Sequence, residues 1–274
     1  MTTQQEKAER FRELHERPGT FVIPNPWDAG TARLLADMGF EALASTSAGY
    51  AYTLGRADYE VDRAQMMRHL AELAAATDLP VSGDLENGYG EAPEAAAATI
   101  RLAADAGLVG GSIEDATNRP EAPLYSIEAA TDRVRAAVEA ARGLPFPFML
   151  TARAENFMVG VGDLGDTIRR LQAYQEAGAD VLYAPALKER EQIATVVREV
   201  DRPVNVVMGL KGVDLTLADL TEIGVKRVSI GSGFARAAMG AFLEAAREVR
   251  EKGTFTFAEK AISYAEIGEL LRRG

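Results

Sequence analysis

The segment Val81-Ser82-Gly83-Asp84-Leu85-Glu86-Asn87-Gly88-Tyr89-Gly90 carries two acids two residues apart, at the end of a strand-like run and just before a glycine-rich turn. Residues i and i+2 of a strand point to one face, so the spacing predicts that Asp84 and Glu86 aim into one pocket. Oxygen pairs of this kind suit Mg²⁺, which takes one or two carboxylates, keeps several waters and leaves room for substrate oxygens. The plainer reading is a strand that ends in a polar turn. A second pair, Glu114-Asp115, argues against it by closing a comparable run, Val109-Gly110-Gly111-Ser112-Ile113. Arg153-Ala154-Glu155-Asn156 then follows the run from Phe146 to Ala152. A metal near the acids with Arg153 beside it makes a positive pocket for an anion, because the planar guanidinium matches a carboxylate or phosphate. The simpler role for Arg153 is to neutralise Glu155 or Glu114.

These residues need elements to position them. Strands are predicted over residues 20–24, 41–45, 79–84, 109–113, 146–152, 179–184, 203–208 and 227–230. Helical spacing is predicted over 4–17, 29–39, 60–77, 93–106, 126–142, 163–177, 188–200 and 216–223, and helices fill most of the remainder. The strands are near-continuous apolar runs, as expected when both faces are buried. Regular alternation of strand and helix implies a parallel sheet. Eight such units point to a (β/α)8 TIM-type barrel, with an open doubly wound sheet as the alternative. No G-x-G-x-x-G follows the first strand, which weakens a dinucleotide-binding reading. Barrel enzymes do their chemistry at the C-terminal ends of the strands. Here those ends are Asn25-Pro26-Trp27-Asp28, Ser45 to Tyr50, Asp84 to Glu86, Glu114-Asp115, Arg153 to Asn156, Tyr183, Met208-Gly209 and Gly231-Ser232-Gly233.

Composition sets the outer bounds. A chain of 274 residues, 47% hydrophobic and 26% charged, fits one large-cored barrel domain over residues 1–274, with 240–274 as a C-terminal helical segment for oligomerisation. There is no cysteine, which excludes disulfides, thiolate metal sites and a cysteine nucleophile or acid. A net charge of −11 argues against nonspecific binding to nucleic acid or an anionic membrane. The charged start, residues 1–17, has no apolar core and does not read as a signal peptide. No run of about 18 apolar residues marks a membrane span. A cytoplasmic setting is expected.

The motifs resemble the isocitrate lyase / phosphoenolpyruvate mutase superfamily over roughly residues 8–250. The segment FVIPNPWDAGTARLLADMGFEALASTSAGYAYTLGRAD is similar to that family's opening, GDLENGYG to its D-x-D-x-G-Y-G metal motif, GSIEDA to its H-I-E-D segment, and LTARAENF to its A-R-x-[DE]-A segment. The resemblance implies a (β/α)8 barrel, often with the last helix swapped between paired subunits, and a homodimer or homotetramer. It also implies Mg²⁺, or Mn²⁺ in its place, and a small anionic 2-oxo acid as substrate. Carried over by position, Asp84, Glu86 and Glu114 are the metal acids, Asp58 is a loop acid near the metal, and Arg153 grips the substrate. Ser45, Thr46, Ser47 and Ala48 fall where the family binds the substrate carboxylate. Two departures matter. The lyase branch has a K-K-C-G-H-type loop after the fourth strand, where this chain has Ala116 to Tyr125 and no cysteine, so isocitrate or methylisocitrate cleavage by that mechanism is not expected. Glu86 also stands where the family usually has Asp.

The implied chemistry is a Mg²⁺-dependent lyase or decarboxylase that cleaves a C–C bond of a small 2-oxo or 2-hydroxy dicarboxylic acid through an enolate, with the metal as Lewis acid. Two alternatives stand beside it: C–P chemistry like that of a phosphoenolpyruvate mutase or phosphonopyruvate hydrolase, and a non-catalytic metabolite-binding barrel. Asn118 is the residue of the loop after the fourth strand best suited to a nucleophile's role. Tyr50, Tyr52, Tyr125 and Lys211 are acid/base candidates, each with a plainer structural reading, and Tyr50 is taken with Arg153, Asp58 and Asn118 as the catalytic set. His15 and His69 are expected on helix surfaces. The glycines at 209, 212, 231 and 233 admit a phosphate site at helix starts, although tight turns explain them more simply.

Overall fold

A computed structural model of the chain describes residues 2–273. After α1 (Gln4–Glu16), strands and helices alternate as β1 (Phe21–Ile23), α2 (Ala29–Asp37), β2 (Leu43–Ala44), α3 (Ser47–Thr53), α4 (Arg63–Ala75), β3 (Val81–Asp84), α5 (Pro93–Asp105), β4 (Gly110–Glu114) and α6 (Ile127–Arg142). The second half runs β5 (Met149–Arg153), α7 (Leu164–Glu176), β6 (Val181–Tyr183), α8 (Arg190–Glu199), β7 (Val204–Val207), α9 (Leu217–Ile223), β8 (Arg227–Ser229), α10 (Gly233–Lys252) and, beyond a 3-10 turn at Thr256–Lys260, α11 (Tyr264–Arg273). The sheet has eight strands in the order β1-β8-β7-β6-β5-β4-β3-β2. Every pair is parallel. Between β1 and β2 the Ala44 N–H donates to the Pro24 carbonyl at 3.0 Å, which brings the edges together as a (β/α)8 barrel. Among the described residues, no helix is long and apolar enough to cross a membrane.

Two apolar cores hold the barrel. The larger lies between the strands and the surrounding helices and includes Leu43, Leu70, Leu85, Ile100, Leu150, Leu171 and Leu182. The smaller closes the floor, where Phe11 and Leu14 of α1 pack on Phe21, Ile23, Val109, Met149 and Val181. The two glycines of β4 are explained by this packing. A Cβ on Gly110 would stand 2.7 Å from Phe11 Cε1 and 3.0 Å from the Met149 carbonyl oxygen, and one on Gly111 would stand 2.6 Å from Leu85 Cδ1. Overpacking of a filled core typically costs about 1–3 kcal/mol. Gly110→Ala is therefore expected to lower the unfolding free energy by about that amount, measured by urea denaturation.

Several sequence expectations need correction. Ser45 to Tyr50 was expected as a strand end and loop, but Thr46 caps a helix there, its Oγ1 accepting from Gly49 N at 3.2 Å. The strand ends at Asp84, and Glu86 takes a left-handed φ of 49°, so the two acids do not alternate on one strand face. Neither histidine is on a surface. His15 lies under the barrel floor between Phe11 and Phe21, and His69 is buried in the apolar face of α4.

Candidate active site

Three strand ends converge on one guanidinium. Asp84 closes β3, Glu114 closes β4 and Arg153 closes β5, with Glu114 and Arg153 in register. Arg153 donates from Nη1 to Asp84 Oδ1 at 2.9 Å and from Nε to Glu155 Oε1 at 2.8 Å, and its Nη2 stands 3.2 Å from Glu114 Oε2. The guanidinium also lies over the Tyr183 ring, 5.2 Å from its centroid. The neutralising role for Arg153 is thus real, and it is shared among three carboxylates.

The loops around β2 complete the cluster. Asp84 N–H donates to Ser45 Oγ at 2.8 Å, and Asp84 Oδ2 lies 3.0 Å from Ser47 N and 2.9 Å from Ser47 Oγ. The same Ser47 Oγ is 2.9 Å from Asp58 Oδ1. One hydroxyl has one hydrogen, so either that hydrogen is shared or Asp58 carries a proton. Burial and the Asp84 charge both push the Asp58 carboxyl above its ordinary range, which favours the proton. Tyr59 follows with a φ of 65° and donates from its hydroxyl to Glu114 Oε1 at 2.8 Å. Tyr59, Glu86, Tyr89 and Asn118 all hold positive φ in loops beyond strand ends, and backbone strain of this kind concentrates at functional sites.

The charge balance is uneven. Asp84, Glu114 and Glu155 touch Arg153, while Asp58 and Glu86 stand within electrostatic reach of Asp84. Five carboxyls therefore crowd one guanidinium, which contacts three of them, while Arg227 on the cavity floor bonds the neutral Asn205 and Thr151. Burying carboxylates without compensation is costly, and it favours either protonation or a further cation. Burial, helped by Asp84 and Asp58, pushes Glu86 up to about 8. Burial raises Glu114 well above the carboxylate range against the opposing pull of Arg153. Glu86 Oε1 and the Tyr89 hydroxyl are buried without a hydrogen-bond partner. This set fits a divalent cation. Among the described residues no three acids form a ready-made chelate, but Mg²⁺ needs only one or two carboxylates and fills its octahedron with water and substrate oxygens.

A cavity of about 360 Å³ opens over the cluster. Of the residues expected from sequence, Ser45, Thr46, Ser47, Ala48, Asp58, Asp84, Glu114 and Arg153 line it. Glu86, Tyr50 and Asn118 are not among the lining residues. Glu86 turns aside because the strand has ended. The Tyr50 ring stacks on His69 at 3.7 Å, between α3 and α4, so the structure places this expected catalytic residue in helix packing and not on the cavity wall. Asn118 is exposed in the loop clipped by an antiparallel bridge between Ala116 and Leu124, so it is not poised as a nucleophile. Tyr125 lies beneath Arg133, whose guanidinium is 4.5 Å from the ring centroid and bonds the carbonyls of Asn87 and Gly90. That pair props up the turn after β3 from outside the cavity.

Sequence reasoning passed over Tyr59 and Arg227, and named Glu155 and Tyr183 without giving either a place in the site. Tyr59 directly follows the acid that was singled out, and an aromatic between two acids was the available signal. Arg227 opens an apolar strand, which is itself unusual. It lines the cavity floor, donating to Asn205 Oδ1 at 2.8 Å and Thr151 Oγ1 at 2.9 Å.

Comparison with known proteins gives a consistent result. A family model described as phosphoenolpyruvate phosphomutase matches residues 11–250. A crystal structure of a candidate lyase/mutase from Burkholderia cenocepacia J2315 superposes with a TM-score of 0.95 at 60% identity, covering 97% of this chain and 95% of that one. An uncharacterised protein of Mycobacterium tuberculosis is 32% identical over 94% of each chain. Oxaloacetate acetylhydrolase, solved with its product oxalate, matches at 25% identity and a TM-score of 0.87 over 99% of this chain and 95% of that one.

Proposed function

The chain belongs to the phosphoenolpyruvate phosphomutase family, within the isocitrate lyase / phosphoenolpyruvate mutase superfamily, and from that premise we propose that it is a Mg²⁺-dependent carbon–carbon lyase or decarboxylase acting on a small 2-oxo or 2-hydroxy dicarboxylic acid. The observation that carries the reading is Arg153 set among Asp84, Glu114 and Glu155 in a cavity of about 360 Å³. That volume is ample for a small diacid together with a cation and its waters. The oxaloacetate acetylhydrolase relative, with oxalate as its product, supports a C–C bond beside a 2-oxo group as the target.

Asp84 and Glu114, with Glu86 behind them, are the residues that would hold the cation. When bound, Mg²⁺ supplies Lewis-acid stabilisation of the negative charge that develops on a 2-oxo group. Arg153 holds the substrate carboxylate with its planar fork. The hydroxyls of Ser45 and Thr46 and the backbone at Ala48 flank the same cavity and fix the carboxylate's orientation. Ser47 and Tyr59 act indirectly, by aiming Asp84 and Glu114. The exposed Phe242, Phe255 and Tyr264 of the C-terminal segment support the expected pairing of subunits.

The C–P alternative draws on the family's own name. It requires an in-line nucleophile for phosphoryl transfer, and Asn118, its best candidate, faces solvent. Decarboxylation of an oxaloacetate-like acid needs only the electron sink and a proton source, whereas cleavage to a second carbonyl fragment also needs a base. A non-catalytic barrel leaves the uneven acid cluster unexplained.

The reading is tested by Mg²⁺-dependent turnover of oxaloacetate, other 2-oxo and 2-hydroxy diacids and phosphonopyruvate in one panel, with Asp84→Ala alongside. The expected result is release of a three- or two-carbon acid from a diacid, reduced by about 10²-fold in Asp84→Ala. Phosphate from phosphonopyruvate alone would move the protein to C–P chemistry, and silence across the panel would sink the substrate class.

A further inference from the structure

We propose that the Tyr183 hydroxyl is the proton donor to the carbon left holding the electron pair when the substrate's C–C bond breaks. The assignment rests on the cleavage reading above.

Elimination comes first. The chain has no cysteine, its two histidines lie outside the cavity, and no lysine is among the lining residues. Setting aside the serine and threonine hydroxyls, which are weaker acids than a phenol or a carboxyl, the lining groups that can hold a transferable proton are Asp58, Tyr59, Asp84, Glu114 and Tyr183. Asp84 and Glu114 are engaged by Arg153. Asp58 is held by Ser47, and the Tyr59 hydrogen is committed to Glu114. Tyr183 remains. It ends β6 in register with Arg153 on one side and Asn205 on the other, and its ring lies against the Arg153 guanidinium in the cavity wall.

Its surroundings suit a donor. Burial raises the phenol to about 12, with Arg153 and Ser229 pulling the other way, so it enters the reaction protonated. Two cations, Arg153 and Arg227, line the same cavity and stabilise the phenolate left after transfer. For an oxaloacetate-like acid the step balances without any redox partner. The C–C bond to the departing carboxylate breaks, CO₂ leaves, and the bonding pair becomes the enolate. The enolate carbon then takes hydrogen from Tyr183 Oη, forming a C–H bond as the O–H bond breaks. Water returns a proton to the phenolate, and the 2-oxo acid product is released.

Packing against Arg153 is the competing explanation for Tyr183, and phenylalanine provides the same ring. Tyr183→Phe therefore separates the two roles. The full-length protein with Mg²⁺ is incubated with pyruvate in D₂O, and deuterium entering the methyl group is followed by NMR. Oxaloacetate turnover is assayed on the same samples, and oxalate binding by calorimetry. The expected result is exchange by the wild-type protein, an about 10²-fold slower exchange in Tyr183→Phe, and an unchanged oxalate Kd. Exchange at the wild-type rate in Tyr183→Phe would overturn the assignment and leave the cleavage reading standing. Loss of oxalate binding together with exchange would also overturn it, assigning Tyr183 a structural role. Absence of both oxaloacetate turnover and pyruvate exchange in the wild-type protein would remove the cleavage reading and the donor with it.

Discussion

Arg153→Lys is expected to keep the fold and lose about 10³-fold in kcat/KM on the best diacid substrate, whereas Arg153→Met is expected to lose activity and about 3–5 kcal/mol of stability as well. Arg153 meets Asp84, Glu114 and Glu155 with separate nitrogens at 2.9, 3.2 and 2.8 Å. An ammonium is a compact point charge without the planar fork. Lysine therefore retains the charge that offsets the acids and loses the geometry that grips a carboxylate. Methionine removes the charge, leaving buried carboxylates to repel one another. The sign of the pH dependence follows. Glu114 and Glu155 already have raised pKa values, chiefly from burial. Removing the cation raises them further, so the folded state binds protons more readily than the unfolded state, and Arg153→Met regains stability as pH falls. Urea titrations at pH 8 and pH 5.5 measure this. A methionine variant with the same deficit at both values would contradict the charge argument.

Most of the barrel was legible because its signals are local. Buried parallel strands read as apolar runs, and Gly39, Gly107, Gly178 and Gly224 close helices with the positive φ that the chain requires there. Asp84, Glu114 and Arg153 were legible for a related reason: a polar residue closing an apolar strand of a barrel has one place to go. Failures came where a short irregular segment overrides strand periodicity. Leu85 turns into the outer core as Glu86 takes its left-handed conformation, so the i, i+2 rule stops applying one residue after Asp84. Tyr59 reaches Glu114 across 55 positions of sequence, a contact that only the barrel's closure specifies. Tyr183 was legible only as a strand end, because nothing local marks a lone tyrosine as part of the site. His15 was misread because α1 was taken for a solvent-facing opening helix, whereas it plugs the floor of the barrel, and His69 was misread because it sits on the buried face of α4 beside Met66, Leu70 and Leu73.

That floor makes the protein acid-sensitive. His15 Nδ1–H donates to the Phe11 carbonyl at 2.8 Å, which leaves Nε2 as the acceptor facing Arg227 Nη1 at 3.3 Å. Only a neutral imidazole satisfies both bonds. Burial first, and the Arg227 charge second, lower the His15 pKa to about 3, while Lys226 adds a smaller push in the same direction. The unfolded chain binds a proton near pH 6.5 and the folded chain does not, so this contribution is complete above pH 6.5 and is lost as pH falls toward 3. By linkage the loss reaches about 2 kcal/mol at pH 5. His69, lowered to about 4 by burial, acts with the same sign. Glu86, raised to about 8, acts with the opposite sign as it takes up its proton. The wild-type curve alone is therefore ambiguous, and the difference between two proteins is the useful quantity. In His15→Gln the side-chain oxygen can still accept from Arg227, yet nothing at that position titrates. Between pH 7.5 and pH 5 the wild-type protein should lose about 2 kcal/mol more than His15→Gln in urea unfolding. Parallel curves would mean that the floor tolerates an imidazolium beside Arg227, and that the acid response originates at the carboxylate cluster above it.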